Sequence, residues 1–223
     1  MAAAKRTPEP NRKRGPAPAL SIEQIVEAAL RLIDAGGISA LTTRRLGEEL
    51  AVGAMTIYSY VRTKEELLDR VADFALGAMV PKPDPALGWA GNLAAATRGI
   101  KQRLVESRGT LEIMLASRKI SQRALDPARE NMLAPLMRSG FTAESAVDAV
   151  TAAQTYAFGF AMAQRAHSGA NPGRGDAEKV DACRFPCLAL AGKTYSDRFS
   201  DRAFEEGLTD LLERIDQRHR VQH

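Results

Sequence analysis

The chain of 223 residues is predicted to be all-α. Three observations carry this. Alanine and leucine, both strong helix formers, dominate a composition with only 5% aromatic residues. Apolar residues recur at helical spacing, as in Ile22, Ile25, Val26, Ala29 and Ile33. Start and stop signals bracket the runs. Ser21 with Gln24 and Thr63 with Glu66 are capping boxes, while Gly36-Gly37, Gly140 and the prolines at 81, 83 and 85 are stops.

Taken in order, residues 1–19 are rich in Pro, Lys, Arg and Ala and are expected to form a disordered basic arm. Lys5, Arg6, Arg12, Lys13 and Arg14 against Glu9 account for the whole net charge of +4. Residues 20–80 read as a first domain. Its first helix ends at Gly36-Gly37. Two short helices follow, Thr43 to Leu50 and Ala54 to Val61, separated by Ala51-Val52-Gly53. Gly53 is expected to supply the backbone freedom of the turn. Leu41, Leu46, Leu50, Val52, Ile57 and Val61 complete a small core, and a fourth helix runs from Lys64 to about Met79.

This spacing is that of a helix-turn-helix, whose second helix enters the DNA major groove. The chemistry suits that use. Thr43, Thr56, Tyr58 and Tyr60 offer hydroxyls, and Arg44 has the fork that matches a guanine edge. Lys64 falls in the first turn of a helix, where the dipole disfavours a cation unless a phosphate is near. The basic arm beside this unit is an electrostatic anchor whose effect depends on salt.

Residues 81–223 read as a second helical domain. Helices are expected over 88–104, 108–117 and 121–139, with a bend or break at Pro127 and Pro135. Thr142 caps a long helix to about His167 that is apolar on more than one side, so it is buried both in a core and against a partner. Residues 168–180 read as a loop, after which Phe185 and Leu188 are expected to pack back on the body. Ser200 caps a last helix lined by Phe204, Leu208, Leu211, Leu212 and Ile215, and Arg218 to His223 are expected to fray.

Several classes are disfavoured. Cys183 and Cys187 lack the further ligands of a structural zinc site. No apolar run has the length of a membrane span or signal segment, so the expected location is the cytoplasm, without a membrane partner. Histidines at 167, 219 and 223 stand in no nucleophile–base or metal pattern, so an enzyme is not expected and no cofactor is assigned.

The stretch LSIEQIVEAALRLIDAGGISALTTRRLGEELAVGAMTIYSYVRTKEELLD, residues 20–69, resembles the N-terminal region of the TetR family of transcriptional regulators. The resemblance implies that Thr43, Tyr58, Tyr60 and Lys64 contact phosphates, and that Arg44, Ala54, Met55 and Thr56 approach bases. Many members have histidine at the position of Tyr60, and Gly53 and Ala54 are smaller than usual. The body is similar to the C-terminal domain of the tetracycline-repressor branch, through Trp89, LEIMLASR, GFTAESAVDAV and FGFAMAQRAH. That similarity implies a homodimer joined by helices at about 143–167 and 200–217, with Phe204 and Leu208 at the interface. The dimer would bind an inverted-repeat, double-stranded DNA operator as a repressor released by a small-molecule effector. Candidate pocket walls are Trp89, Met114, Arg118, Met132, Leu136, Gln154, Tyr156 and Phe160. The branch holds a magnesium–tetracycline chelate with a histidine and an acidic residue. The corresponding positions here are Met114 and Ala163, neither a ligand for a hard metal, so that chelate is not the expected effector. The alternative is a DNA-binding activator or architectural protein without an effector.

Overall fold

The computed structural model describes residues 20–77, 79–116, 122–169 and 181–221. The basic arm at 1–19, Arg118 and most of the loop expected at 168–180 lie outside the described residues, as does His223. Among the described residues the elements are ten α-helices and one short 3-10 turn, with no strand. None of these helices is long and apolar enough to cross a membrane. No cluster of three or more His, Cys, Asp or Glu among them could hold a metal ion.

α1 (Ile22–Gly36) starts at a complete capping box: the Gln24 amide donates to Ser21 Oγ at 3.2 Å, and the Ser21 amide to Gln24 Oε1 at 2.9 Å. Gly37, at φ 75°, ends it. α2 (Thr43–Leu50) is capped by Thr42, whose Oγ1 accepts from the Arg45 amide. α3 (Ala54–Tyr58) stops three residues short of the expected Val61, because Tyr60 and Val61 turn their amides back on the Ile57 carbonyl. α4 (Lys64–Gly77) follows Thr63, whose Oγ1 accepts from the Glu66 amide; the Glu66 carboxylate reaches past Thr63 to the Arg62 amide.

The turn between α2 and α3 is built differently from the expectation. Gly53 is extended at φ −72°, while Ala51 takes the left-handed conformation at φ 53°. The glycine the motif requires is Gly47. A Cβ there would lie 2.7 Å from the Val52 carbonyl oxygen, so α2 and the turn close on a bare backbone. Left-handed alanine costs about 1–2 kcal/mol, against about 0.5–1 kcal/mol for the extra unfolded-state freedom of glycine. Ala51→Gly is therefore expected to stabilise the protein by about 0.5–1 kcal/mol, a rise of about 2 °C in Tm by calorimetry.

Ile25, Ile33, Leu41, Leu46 and Ile57 are fully buried in the core of this head, with Val71, Ala72 and Ala75 of α4. The body comprises α5 (Trp89–Glu106), α6 (Arg108–Ala116), α7 (Gln122–Arg138), α8 (Ala143–Gly169), α9 (Pro186–Ser196) and α10 (Asp201–Val221). Asn92 fixes the proline-rich connection before α5: its Nδ2 donates to the Asp84 and Leu87 carbonyls and its Oδ1 accepts from the Asp84 amide. Ala146, Ala149, Ala153, Ala157 and Ala161 form a buried stripe of small residues on α8, and Leu93, Ala96, Ile100 and Leu104 of α5 join them in one core. Small side chains let the two helices approach closely.

α7 runs through Pro127 and Pro135 as one helix, so of the expected bend or break the break is absent. The segment after residue 180 forms α9, with Pro186 at its first position, where a missing N–H is harmless. Phe185 and Leu188 do not pack back on the body: both are exposed. α10 continues to Val221 instead of fraying, and His219 stacks on Phe141 with centroids 3.8 Å apart.

Phe204 and Leu208 are also not surface residues of the chain. They are buried with Ala94, and Tyr156, Phe160 and Leu212 pack around them. Arg98–Glu205 and Lys101–Asp201 ion pairs tie α10 to α5 along this cluster. Their guanidinium and ammonium groups hold the Glu205 and Asp201 carboxyls below the usual carboxylate range.

Candidate nucleic-acid interface

Thr43 opens α2, Tyr58 ends α3 and Lys64 opens α4. The fold brings all three to one surface groove, with Thr42 and Thr63 beside them and Leu41, Ile57, Val61 and Leu67 also in its walls. Thr43 Oγ1 and the Tyr58 hydroxyl are 3.2 Å apart and share a hydrogen bond. Lys64 is exposed. Two hydroxyls and an ammonium gathered at one groove can cradle a phosphate oxygen. The Arg62 amide, and then the Arg70 side chain, keep the Glu66 carboxyl below its ordinary range, so it stays an anion that fixes the start of α4.

Ala54, Met55 and Thr56 face outward on α3, and Ile57 on the same helix is wholly buried. Arg44 is exposed but engaged: its Nε donates to Glu48 Oε1 at 2.9 Å. Tyr60 is placed apart from the groove residues. It lies beyond the end of α3, packs against the head's core and donates its hydroxyl hydrogen to the Leu20 carbonyl. Its O–H is thus engaged within the fold.

The candidate effector residues separate into groups. Met132 and Leu136 are buried in the main core of the body, where Gln154 Nε2 approaches Met132 Sδ at 3.6 Å. Trp89 packs against the same core and meets Phe141 edge-on at 5.0 Å. Tyr156 and Phe160 belong to the other cluster, and the Tyr156 hydroxyl donates to the Phe204 carbonyl at 2.9 Å. Burial raises the pKa of that phenol. The side chains of Met114 and Arg118 lie outside the described residues.

Sequence reasoning missed the join between body and head. Asp34 Oδ1, at the end of α1, accepts from Ser107 Oγ at 2.8 Å and from the Gly109 amide at 2.7 Å, at the start of α6. Glu112 Oε2 accepts from the Ile38 amide at 3.0 Å. Ile113 of α6 is buried in the head's core. A Cβ on Gly109 would lie 2.9 Å from both Asp34 Oδ1 and Ile33 Cγ2, so only glycine permits this approach. The available signal was Ser107 with Thr110, a helix-start pattern whose hydroxyl accepts from the Thr110 amide.

A head with a groove lined by hydroxyls and an ammonium beside an outward-facing helix, pinned to a larger helical body, defines a helix-turn-helix transcriptional regulator. Comparison with known proteins agrees. Residues 25–71 match the family described as bacterial regulatory proteins, tetR family, and residues 81–218 match the tetracyclin repressor-like C-terminal domain. The chain therefore belongs to the TetR family, and its function is ligand-responsive transcriptional repression. The family is one of regulators rather than enzymes. Over 155 residues the chain is 32% identical to the HTH-type transcriptional repressor DrrR1 of Streptomyces coeruleorubidus, a match spanning 68% of this chain and 56% of that protein. It is 28% identical over 202 residues to the class A tetracycline repressor of transposon 1721 from Escherichia coli, covering 88% of this chain and 91% of the relative. Ligand-free ActR from Streptomyces coelicolor superposes with a TM-score of 0.72 at 27% identity, covering 93% of this chain and all of ActR. ActR in complex with actinorhodin gives 0.70 at 26% identity, covering 89% and 96%.

Proposed function

We propose that the chain acts as a homodimer that binds an inverted-repeat operator and releases it when a small molecule enters the body. The observation that carries this is the groove shared by Thr43, Tyr58 and Lys64 beside the outward face of α3. Those three side chains hold backbone phosphates, while Ala54, Met55 and Thr56, with Arg44 from α2, approach bases. Two such heads sit about one helical turn apart, roughly 34–36 Å, in the DNA-bound dimer.

The effector chamber lies beside Met132, Leu136 and Gln154, with Trp89 against the same core. Tyr156 and Phe160, held in the α10 cluster, are left out of it. Met114 and Ala163 provide no hard ligand, so the effector is an organic molecule bound without a metal; tight metal-dependent tetracycline binding in calorimetry would refute this. Effector binding shifts α6. The shift is passed to the head through Asp34, Glu112 and Ile113, with a coupling of about 1–3 kcal/mol.

Lys64→Ala tests the phosphate groove. Binding of a selected operator duplex is expected to weaken whatever the base sequence. The slope of log K against log salt should flatten by about 0.9 for each head. Unchanged affinity and slope would remove Lys64 from the interface.

A further inference from the structure

We propose that α3 recognises thymine methyl groups, with Met55 as the principal contact and Ala54 and the Thr56 methyl beside it. The inference rests on the head being a DNA reader, and it specifies what that reader detects. From Ala51 to Val61 no residue carries a charge or a side-chain amide. α3 therefore has no arginine, lysine, asparagine or glutamine to pair with a guanine or adenine edge, and no carboxylate to accept from cytosine.

The polar side chains of this segment are largely occupied within the protein. Tyr58 meets Thr43, Tyr60 donates to Leu20, and Ser59 Oγ donates to the Thr56 carbonyl at 2.7 Å. Ile57 is turned inward and wholly buried, whereas Met55 is 81% exposed at the outward face. The outward surface of α3 is thus mainly methyl and thioether. In the major groove the C5-methyl of thymine is the apolar group available to it, and small or methyl-bearing side chains are its usual partners. An unbranched, polarisable methionine can settle on that methyl without a fixed rotamer. Reading of guanine falls to Arg44 on α2, which must first exchange Glu48 for a base.

The test uses the full chain. In vitro selection from a random duplex pool supplies an operator, and each thymine of a half-site is replaced by deoxyuridine, which deletes only the C5-methyl. At one or two positions per half-site the replacement is expected to weaken binding about fourfold, the value of one buried methyl-sized group. With Met55→Ala, thymine and uracil should bind equally at one of those positions. Met55 is exposed, so this variant keeps its core. Equal affinity for every uracil-substituted duplex overturns the proposal, as does a methyl effect that persists undiminished in Met55→Ala and Ala54→Gly. Failure to select any duplex would instead overturn DNA reading by the head, and this inference with it.

Discussion

Val147→Glu combined with Met162→Glu is expected to give a folded monomer that has lost operator binding by about 100- to 10,000-fold. The reason lies on the outer side of α8. Residues 149–164 carry no charge, yet Thr151, Thr155, Gly159 and Met162 are exposed along one stripe that begins at Val147. Among the described residues nothing lies within 4 Å of a Cβ built at Gly159, so another helix can come close there. α8 is about 40 Å long at 1.5 Å per residue, which gives a partner helix ample surface. Facing copies related by a two-fold axis would bring introduced glutamates together in an apolar seam, where like charges are costly. Without the dimer, the second head no longer binds at the effective concentration set by the first, and the avidity factor is lost. Sedimentation should fall from twice 24.1 kDa to 24.1 kDa with helicity unchanged. A double variant that stays dimeric would exclude this face. Phe204 and Leu208 are unsuitable for the same test, since their burial within one chain makes any polar substitution a folding defect.

The head was more legible in sequence than the body, for a physical reason. Its helices are short, and local chemistry sets their ends: Ser21 with Gln24 and Thr63 with Glu66 act within one turn of chain. Thr43, Tyr58 and Lys64 come to one groove because each sits at or beside a helix end that a cap or turn defines. The error at Gly53 shows the limit of this reasoning. Which residue takes the left-handed conformation depends on how tightly α2 meets the turn, and Gly47 sets that through packing. In the body, alanine covers several sides of α8, so spacing alone could not tell the face toward α5 from the face toward a partner. Tyr156 and Phe160 were grouped with Met132 and Leu136 for that reason, though they lie in separate clusters. The Asp34 join was unreadable because its partners are more than 70 residues apart in sequence.

Asp34→Ala tests whether that join is the route from body to head. Removing the carboxylate leaves the buried Gly109 amide without its acceptor, while Ser107 Oγ keeps Thr110 Oγ1 at 2.6 Å. Hydrogen bonds to a charged group contribute about 1.5–3 kcal/mol. Asp34 stands at the surface, where water can replace part of the loss, so about 1.5 kcal/mol is expected from denaturant midpoints. Asp34→Asn retains an acceptor oxygen and should lose less. The regulatory consequence is larger than the loss of stability. α6 meets the head through Asp34, Glu112 and Ile113, and a coupling of only about 1–3 kcal/mol has to cross that contact. Losing the Asp34 anchor removes an energy of the same size. In a reporter strain, compounds from a library that relieve repression by the native chain should no longer do so with Asp34→Ala, although repression itself persists. Full induction in that variant would mean that the shift reaches the head through Glu112 and Ile113 without Asp34.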